Sequence, residues 1–145
     1  MSHRLKYYTG EVLKEMSLRM SGITPNVFAE NRPESVTEQM REFIVVDIAT
    51  KMYNHNPYQD AYVSIELYMR KKAKGLANTA NMQAFADRVV ELFPIVTDRF
   101  SIIKPSVMLR GSDMAGFTTW MITAKLYVNT TDSYFTPNTS TNNQD

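Results

Sequence analysis

Histidine is the most common general base and metal ligand in proteins, and this chain contains two, His3 and His55. His3 lies near the N-terminus, and His55 lies in the sequence NHNPYQD, where an Asn-Pro turn accounts for it. Neither has a His or Glu partner at metal-ligand spacing, and the chain has no cysteine to act as a nucleophile or a thiolate ligand. We therefore expect no metal site, no cofactor and no catalytic histidine.

The carboxylates offer one anomaly. Asp47 lies inside the apolar segment EFIVVDIAT (42–50), where an unpaired charge would be costly, so it is either a hydrogen-bonded or ion-paired residue or a general base with a raised pKa. Asp87 and Glu91 are four residues apart beside Arg88, a pattern typical of a solvated helix face. The five glycines form neither a phosphate-binding motif nor a nucleophile elbow. These residues predict a protein that is not an enzyme.

Four cations occupy the short stretch that follows AYVSIELYM, namely Arg70, Lys71, Lys72 and Lys74. Such a cluster can contact DNA phosphates without reading bases, contact an acidic neighbouring protein, or simply form the solvated end of a strand. The formal net charge of +1 argues against a protein dedicated to nucleic-acid binding. Any charge effect is therefore expected to be local.

The spacing of apolar residues indicates which elements hold these side chains. A period near 3.6 residues predicts helices over 10–20 and 76–93. Alternation and β-branched residues predict strands over 27–29, 42–50, 61–70, 99–110 and 117–128. Pro105 is expected at a bulge or on an edge, where a missing N–H group does no harm. We predict an α+β fold, a mainly antiparallel sheet of about four to five strands packed against two helices.

The chain length of 145 residues suits a single domain. We assign residues 1–128 to one α+β domain and residues 129–145 to a polar C-terminal arm rich in Asn and Thr. In the arm, the aromatic pair Tyr134 and Phe135 is suited to docking on a neighbouring subunit, and a frayed terminus is the alternative. No apolar run is long enough for a signal peptide or a membrane span, so we expect an intracellular protein without a membrane partner.

The outward-facing positions of the predicted strands are less polar than those of a typical monomer. Tyr62 and Tyr68 face outward from one strand, and Met121 and Tyr127 face outward from another. Aromatic and apolar side chains in such positions are typical of subunit interfaces. The candidate subunit interface therefore consists of Tyr62, Tyr68, Met121, Tyr127, Tyr134 and Phe135. These residues predict a homo-oligomer.

The element order resembles that of the tail-terminator, or tail-completion, proteins of tailed bacteriophages. The resemblance covers about residues 8–128 and is carried by the helix at 10–20, the strands EFIVVDIAT and AYVSIELYMRK, the helix NMQAFADRVVELFP and the hairpin RFSIIKPSVMLRGSDMAGFTTWMITAKLYV. It implies a tail-terminator-like α+β fold and a ring, hexameric or dodecameric, without enzymatic activity. The neck-ring proteins of short-tailed, crAss-like phages are among the relatives that it suggests. The family has no invariant catalytic motif, so no residue role is carried over.

The resemblance also implies a location and partners. It predicts a structural virion protein, made in the host cytoplasm, at the head–tail junction beside portal, neck and tail proteins. The cations of 70–74 would then face DNA in the lumen or a neighbouring ring. Two alternatives stay open: a free nucleic-acid-binding module that uses the same cations, and a small enzyme whose pocket gathers Asp47, His55 or Asp60.

Overall fold

The computed structural model describes residues 8–49, 51–55 and 58–129. Within these ranges the chain forms two α-helices and seven strands, with a short 3₁₀ turn, Ala73–Gly75, before the second helix. In chain order the elements are α1 (Thr9–Met20), β1 (Val27–Ala29), β2 (Glu42–Ile48), β3 (Tyr53–Asn54), β4 (Tyr58–Arg70), α2 (Thr79–Val90), β5 (Ile95–Val96), β6 (Phe100–Met108) and β7 (Phe117–Asn129).

All seven strands belong to one sheet, in the order β1-β2-β4-β7-β6-β5, with β3 paired to β4. The β1–β2 pair is parallel and every other pair is antiparallel. The prediction of a mainly antiparallel sheet of about four to five strands packed against two helices is therefore wrong, because the sheet is mixed and has seven strands. Strands β3 and β5 are two residues long, too short to show alternation, and the parallel pairing of β1 depends on the path of the chain.

Several local predictions are confirmed. Both predicted helices are present, and β1 forms at an edge of the sheet. The register of β6 against β7 shifts between Ile103 and Ser106, which is the bulge expected at Pro105. Lys104 lies in this irregularity with φ at 57°, in the left-handed region.

One face of the sheet is covered by the two helices. Helix α1 packs on β1 and β2, and α2 packs on β4, β6 and β7. The apolar odd-numbered residues of β4 point into this core, and they are Ala61, Val63, Ile65, Leu67 and Met69. They meet the buried helix residues Val12, Met16, Met20, Met82, Phe85, Ala86 and Val89. Burial of each large apolar side chain contributes about 1.5–3 kcal/mol, so this layer supplies much of the driving force for folding.

The opposite face, which we call the outer face, has two different ends. At one end, Phe43, Val45, Tyr68 and Phe117 form a second buried cluster. Residues Val36 and Met40 of the loop before β2, and Met114 of the turn between β6 and β7, pack against that cluster. We call this region the closed end. Farther along the strands is the open end, where Tyr62 is 54% exposed.

Candidate functional site

Among the described residues, strand β6 has a free edge over its second half. Strand β5 pairs with only two of its residues, Ser101 and Ile102, whereas β7 pairs along β6 from Phe100 to Met108. Beyond Ile102, no strand formed by the described parts of the chain lies on the side of β6 away from β7. The N–H and C=O groups on such an edge are a template for a strand from another chain.

Exposed apolar side chains follow this free edge. Val107 is 39% exposed, Met108 52% and Leu109 71%. Natural sheet edges are usually protected by charges, prolines, bulges or short strands. Pro105 and the bulge protect the preceding segment, but 106–109 contains no charged residue. We call residues 106–109 the β6 edge, and its composition favours burial against a partner.

At the open end, the Asp60 carboxylate connects β4 to its neighbours. Its Oδ2 atom lies 3.1 Å from Nε2 of His55 and 3.5 Å from Nζ of Lys125. The Lys125 ammonium also lies 4.4 Å from the centroid of the Tyr62 ring. Burial lowers the pKa of Lys125, but the charge of Asp60 and contacts with Tyr62 and Tyr127 offset this, so that its pKa is raised. The ammonium therefore stays charged and compensates the 7% exposed Asp60.

The enzyme hypothesis named Asp47, His55 and Asp60, and the fold brings only two of them together. The antiparallel pairing of β3 with β4 brings His55 and Asp60 together, and their spacing of five residues does not by itself indicate a pair. Asp47 lies opposite Ser64, roughly 13 Å along β4 from Asp60, and its Oδ1 accepts a hydrogen bond of 2.8 Å from the N–H of Ile48. The prediction of a hydrogen-bonded Asp47 is confirmed. The His55 side chain is 43% exposed, so the pair lies at the surface.

The predicted interface residues separate into three groups. Tyr62 is exposed on the outer face, and Met121 and Tyr127 are half-buried there. Tyr134 and Phe135 lie outside the described residues. Tyr68 needs a correction, because its side chain is fully buried in the closed end of its own chain.

Tyr68 is held at the closed end by specific contacts. Its ring stacks on Phe43 at a centroid distance of 4.3 Å, and its hydroxyl donates a 2.9 Å hydrogen bond to Oε1 of Glu66. Burial, followed by the hydrogen bond and charge of Glu66, raises the pKa of Tyr68 to about 12. A neighbouring subunit has no access to this side chain, so we remove Tyr68 from the candidate interface.

Arg70 also needs a correction, because its guanidinium serves the fold. Nη2 donates to the carbonyl oxygens of Thr37 and Met40, at 3.0 and 3.3 Å, and the guanidinium lies 4.6 Å from the centroid of Phe117. Arg70 thus fastens the loop before β2 onto the closed end. We remove it from the group of cations that are candidates for contact with DNA or a neighbouring ring.

The three lysines keep that candidate role. Lys72 and Lys74 are exposed, and Lys71 is half-buried, in the connection between β4 and α2. The turn places Lys74 at φ 66° and Gly75 at φ 73°. Because glycine adopts positive φ without a steric penalty, it suits this sharp change of direction.

Two further cations near this connection were missed by sequence reasoning. A polar cavity of about 320 Å³ is lined by Arg41, Arg70 and Arg88, together with Glu42, Met69, Asn78, Asn81 and Ala84. Arg41 precedes β2 and Arg88 belongs to α2, so only the folded chain brings them together. Even without Arg70, Arg41 and Arg88 outnumber Glu42, the one carboxylate of the lining, which favours an anionic group over a cationic one.

The described residues lack two other features, a cluster of metal ligands and a membrane-spanning helix. No group of three or more His, Cys, Asp or Glu residues there is placed to hold a metal ion. No helix in the same part of the chain is long and apolar enough to cross a membrane.

Comparison with known proteins identifies a fold and no function. No family model and no curated protein matches this chain. Among solved structures, 27 chains match. One of them, a protein whose name describes no function, has a TM-score of 0.57 and 11% sequence identity, and the match covers 87% of this chain and 97% of that one. At this identity the likeness shows the fold alone, and the shared fold accounts for almost the whole length of the other protein.

Proposed function

We propose that this protein is a structural subunit of a homo-oligomeric ring at the head–tail junction of a tailed bacteriophage, without enzymatic activity. The observation that carries the proposal is the β6 edge, where backbone groups without a strand partner among the described residues coincide with exposed Val107, Met108 and Leu109. Another chain that covers this edge satisfies the backbone and removes apolar surface from water. The location in a phage rests on the resemblance of the element order to tail-terminator proteins.

The two edges of the sheet are unlike surfaces, which a ring contact joins. One edge of the sheet ends in the apolar β6 edge. The opposite edge is formed by β1 and by β3, which pairs with β4, and Tyr53 of β3 is 47% exposed. A contact between unlike surfaces of identical copies repeats around an axis and closes into a ring when the rotation allows it. A hexamer or dodecamer of this kind is the proposed assembly, with portal, neck and tail proteins as its neighbours.

The cations support a channel that DNA crosses. Lys71, Lys72 and Lys74 lie on one connection, and Arg41 and Arg88 line the cavity next to it. Cations of this kind attract phosphates without reading sequence, as passage of any genome sequence through a lumen requires.

The oligomeric state tests the proposal directly. The double variant Val107→Lys, Leu109→Lys places charges on the β6 edge, and we expect it to reduce the ring to monomers in native mass spectrometry. Leu76→Lys is the matched control, because Leu76 is a similarly exposed apolar residue, at 61%, away from that edge. The control should keep the mass of the ring. A native chain that is monomeric at every concentration, and that also fails to bind the portal complex of its own phage, would falsify the proposal.

A free nucleic-acid-binding module is the second candidate, and the cavity lined by Arg41 and Arg88 is the observation that favours it. This alternative predicts that the monomer of the β6-edge variant binds duplex DNA with an affinity that falls steeply as salt rises. Replacing Lys71, Lys72 and Lys74 by alanine should then remove binding. If the monomer fails to shift the fluorescence anisotropy of labelled duplex DNA at low salt, the module is excluded and the ring remains.

A further inference from the structure

A shallow apolar groove lies at the end of β4 opposite the cations. Its volume is about 370 Å³, and its lining includes Tyr58, Val96, Phe100, Tyr127 and Val128. Val96 is 60% exposed and Tyr58 is 40% exposed, so the described chain leaves much of the groove in contact with solvent. The volume lies within the range of roughly 300–1,000 Å³ that is typical of sites for small ligands, which gives room for aromatic side chains.

The described structure ends at this groove. Asn129, the last residue of β7, is itself part of the lining. Sixteen residues follow, and the aromatic side chains among them are adjacent, at Tyr134 and Phe135. A few aromatic residues usually supply most of the binding energy of a protein contact. The aromatic pair is therefore the part of this otherwise polar arm that is suited to binding.

We infer that Tyr134 and Phe135 of one copy bind in the groove of a second copy, so that the C-terminal arm links neighbouring subunits. This inference rests on the proposed homo-oligomer and names the place where the arm is received. The occupant is the C-terminal arm because the described chain ends in the lining of the groove and the adjacent aromatic residues follow five and six positions later. We assign the arm of a second copy because the proposed assembly is a homo-oligomer, in which the groove of each copy receives the aromatic pair of its neighbour.

The absence of cysteine from the chain permits a specific test with engineered disulfides. Two single variants of the full chain, Phe135→Cys and Val96→Cys, are mixed and oxidised, and the mixed disulfide dimer is quantified by mass spectrometry. Val96 is exposed, so its replacement does not disturb the core. The control mixture replaces Val96→Cys with Leu76→Cys, a cysteine at a similarly exposed position far from the groove.

Docking raises the local concentration of the two thiols, and we expect the Phe135–Val96 dimer to form about tenfold faster than the control dimer. Equal rates in the two mixtures would overturn the inference. So would a double variant, Val96→Cys with Phe135→Cys, that closes a disulfide within one chain while the mixture of single variants forms none. If the native chain forms a ring but the Phe135–Val96 disulfide forms no faster than the control, the docking of the arm is wrong and the proposed ring is not. If the native chain never assembles, both proposals are wrong.

Discussion

The closed and open ends of the outer face are built from the same strands but differ in what covers them. At the closed end, Phe43 and Tyr68 are fully buried beneath a loop and a turn of their own chain. At the open end, Tyr62 on the same strand as Tyr68 is 54% exposed. The same alternation of side chains thus produces a core at one end and a free surface at the other. An outward-facing aromatic residue therefore indicates an interface only where no other segment of the same chain covers it.

Removing an aromatic ring from the closed end should have the largest effect on stability. Phe43 stacks on Tyr68 and meets Phe28 and Phe117 edge to face, at centroid distances of 6.0 and 5.4 Å. We expect Phe43→Ala to lower the free energy of unfolding by about 3–5 kcal/mol, as is typical of a buried Phe→Ala change. Urea denaturation at one fixed protein concentration measures it. Phe43→Leu is the control and should lose about 1 kcal/mol. If Phe43→Ala lowers the free energy of unfolding by less than about 1 kcal/mol, the closed end is not a core.

The cation that fastens the closed end should come next. Arg70→Ala removes two hydrogen bonds to loop carbonyls and a contact with the Phe117 ring, so we expect a loss of roughly 1–3 kcal/mol. Lys72→Ala, two residues along, is the matched control and should change stability by less than about 0.5 kcal/mol. Denaturation curves of the two variants separate structural from exposed cations. If Arg70→Ala and Lys72→Ala lower the free energy of unfolding equally, Arg70 belongs with the exposed cations.

Tyr68 allows a test of the closed end by pH. Burial and Glu66 raise its pKa to about 12, so the folded state holds the phenol proton more tightly than the unfolded state. The resulting stabilisation is complete below about pH 10 and is lost as the pH rises from there to about 12. We expect the native chain to lose stability over this range by on the order of 1 kcal/mol more than Tyr68→Phe, which lacks the ionising group. Parallel stability curves for the two proteins would contradict the buried position of Tyr68.

The smallest effect on the single chain is expected at the open end. Tyr62→Ala removes an exposed ring beside Lys125, so the free energy of unfolding of the monomer should change by less than about 0.5 kcal/mol. The β6-edge variant Val107→Lys, Leu109→Lys provides the monomeric background for this measurement. A loss of 2 kcal/mol or more, by the scale of buried aromatic residues, would mean that Tyr62 belongs to a core like that of the closed end.

The sequence predicted the helices and strands better than it predicted which faces of the sheet are covered by other segments of the chain. Alternation along β4 and β7 and the helical stripe of α2 are determined locally, so the helix face of the sheet was assigned correctly. The closed end depends on Val36 and Met40, which lie in a segment without periodicity and reach the sheet only through the path of the loop. For that reason Tyr68 and Arg70 were assigned to the surface. The parallel pairing of β1 and the short strands β3 and β5 escaped prediction because local sequence does not encode them.

The candidate site was predictable to a similar degree. The lysines of the β4–α2 connection are close together in the sequence, and such a group of like charges is expected to lie at the surface. Arg41 and Arg88 reach the adjacent cavity from separate elements, and the free edge of β6 exists because β5 ends after two residues. Contacts between distant segments and the length of a neighbouring strand are properties of the fold, which alternation within one strand does not reveal.

The β6 edge allows the sharpest test of the proposed contact between copies. Hydrogen–deuterium exchange of the assembled native chain reports on the backbone amides of 106–109 that point away from β7. We expect these amides to be protected in the assembly and to exchange rapidly in the monomeric variant Val107→Lys, Leu109→Lys. If the same amides of the assembled chain exchange as fast as in that monomer, the copies meet elsewhere and the proposed contact at the β6 edge is wrong.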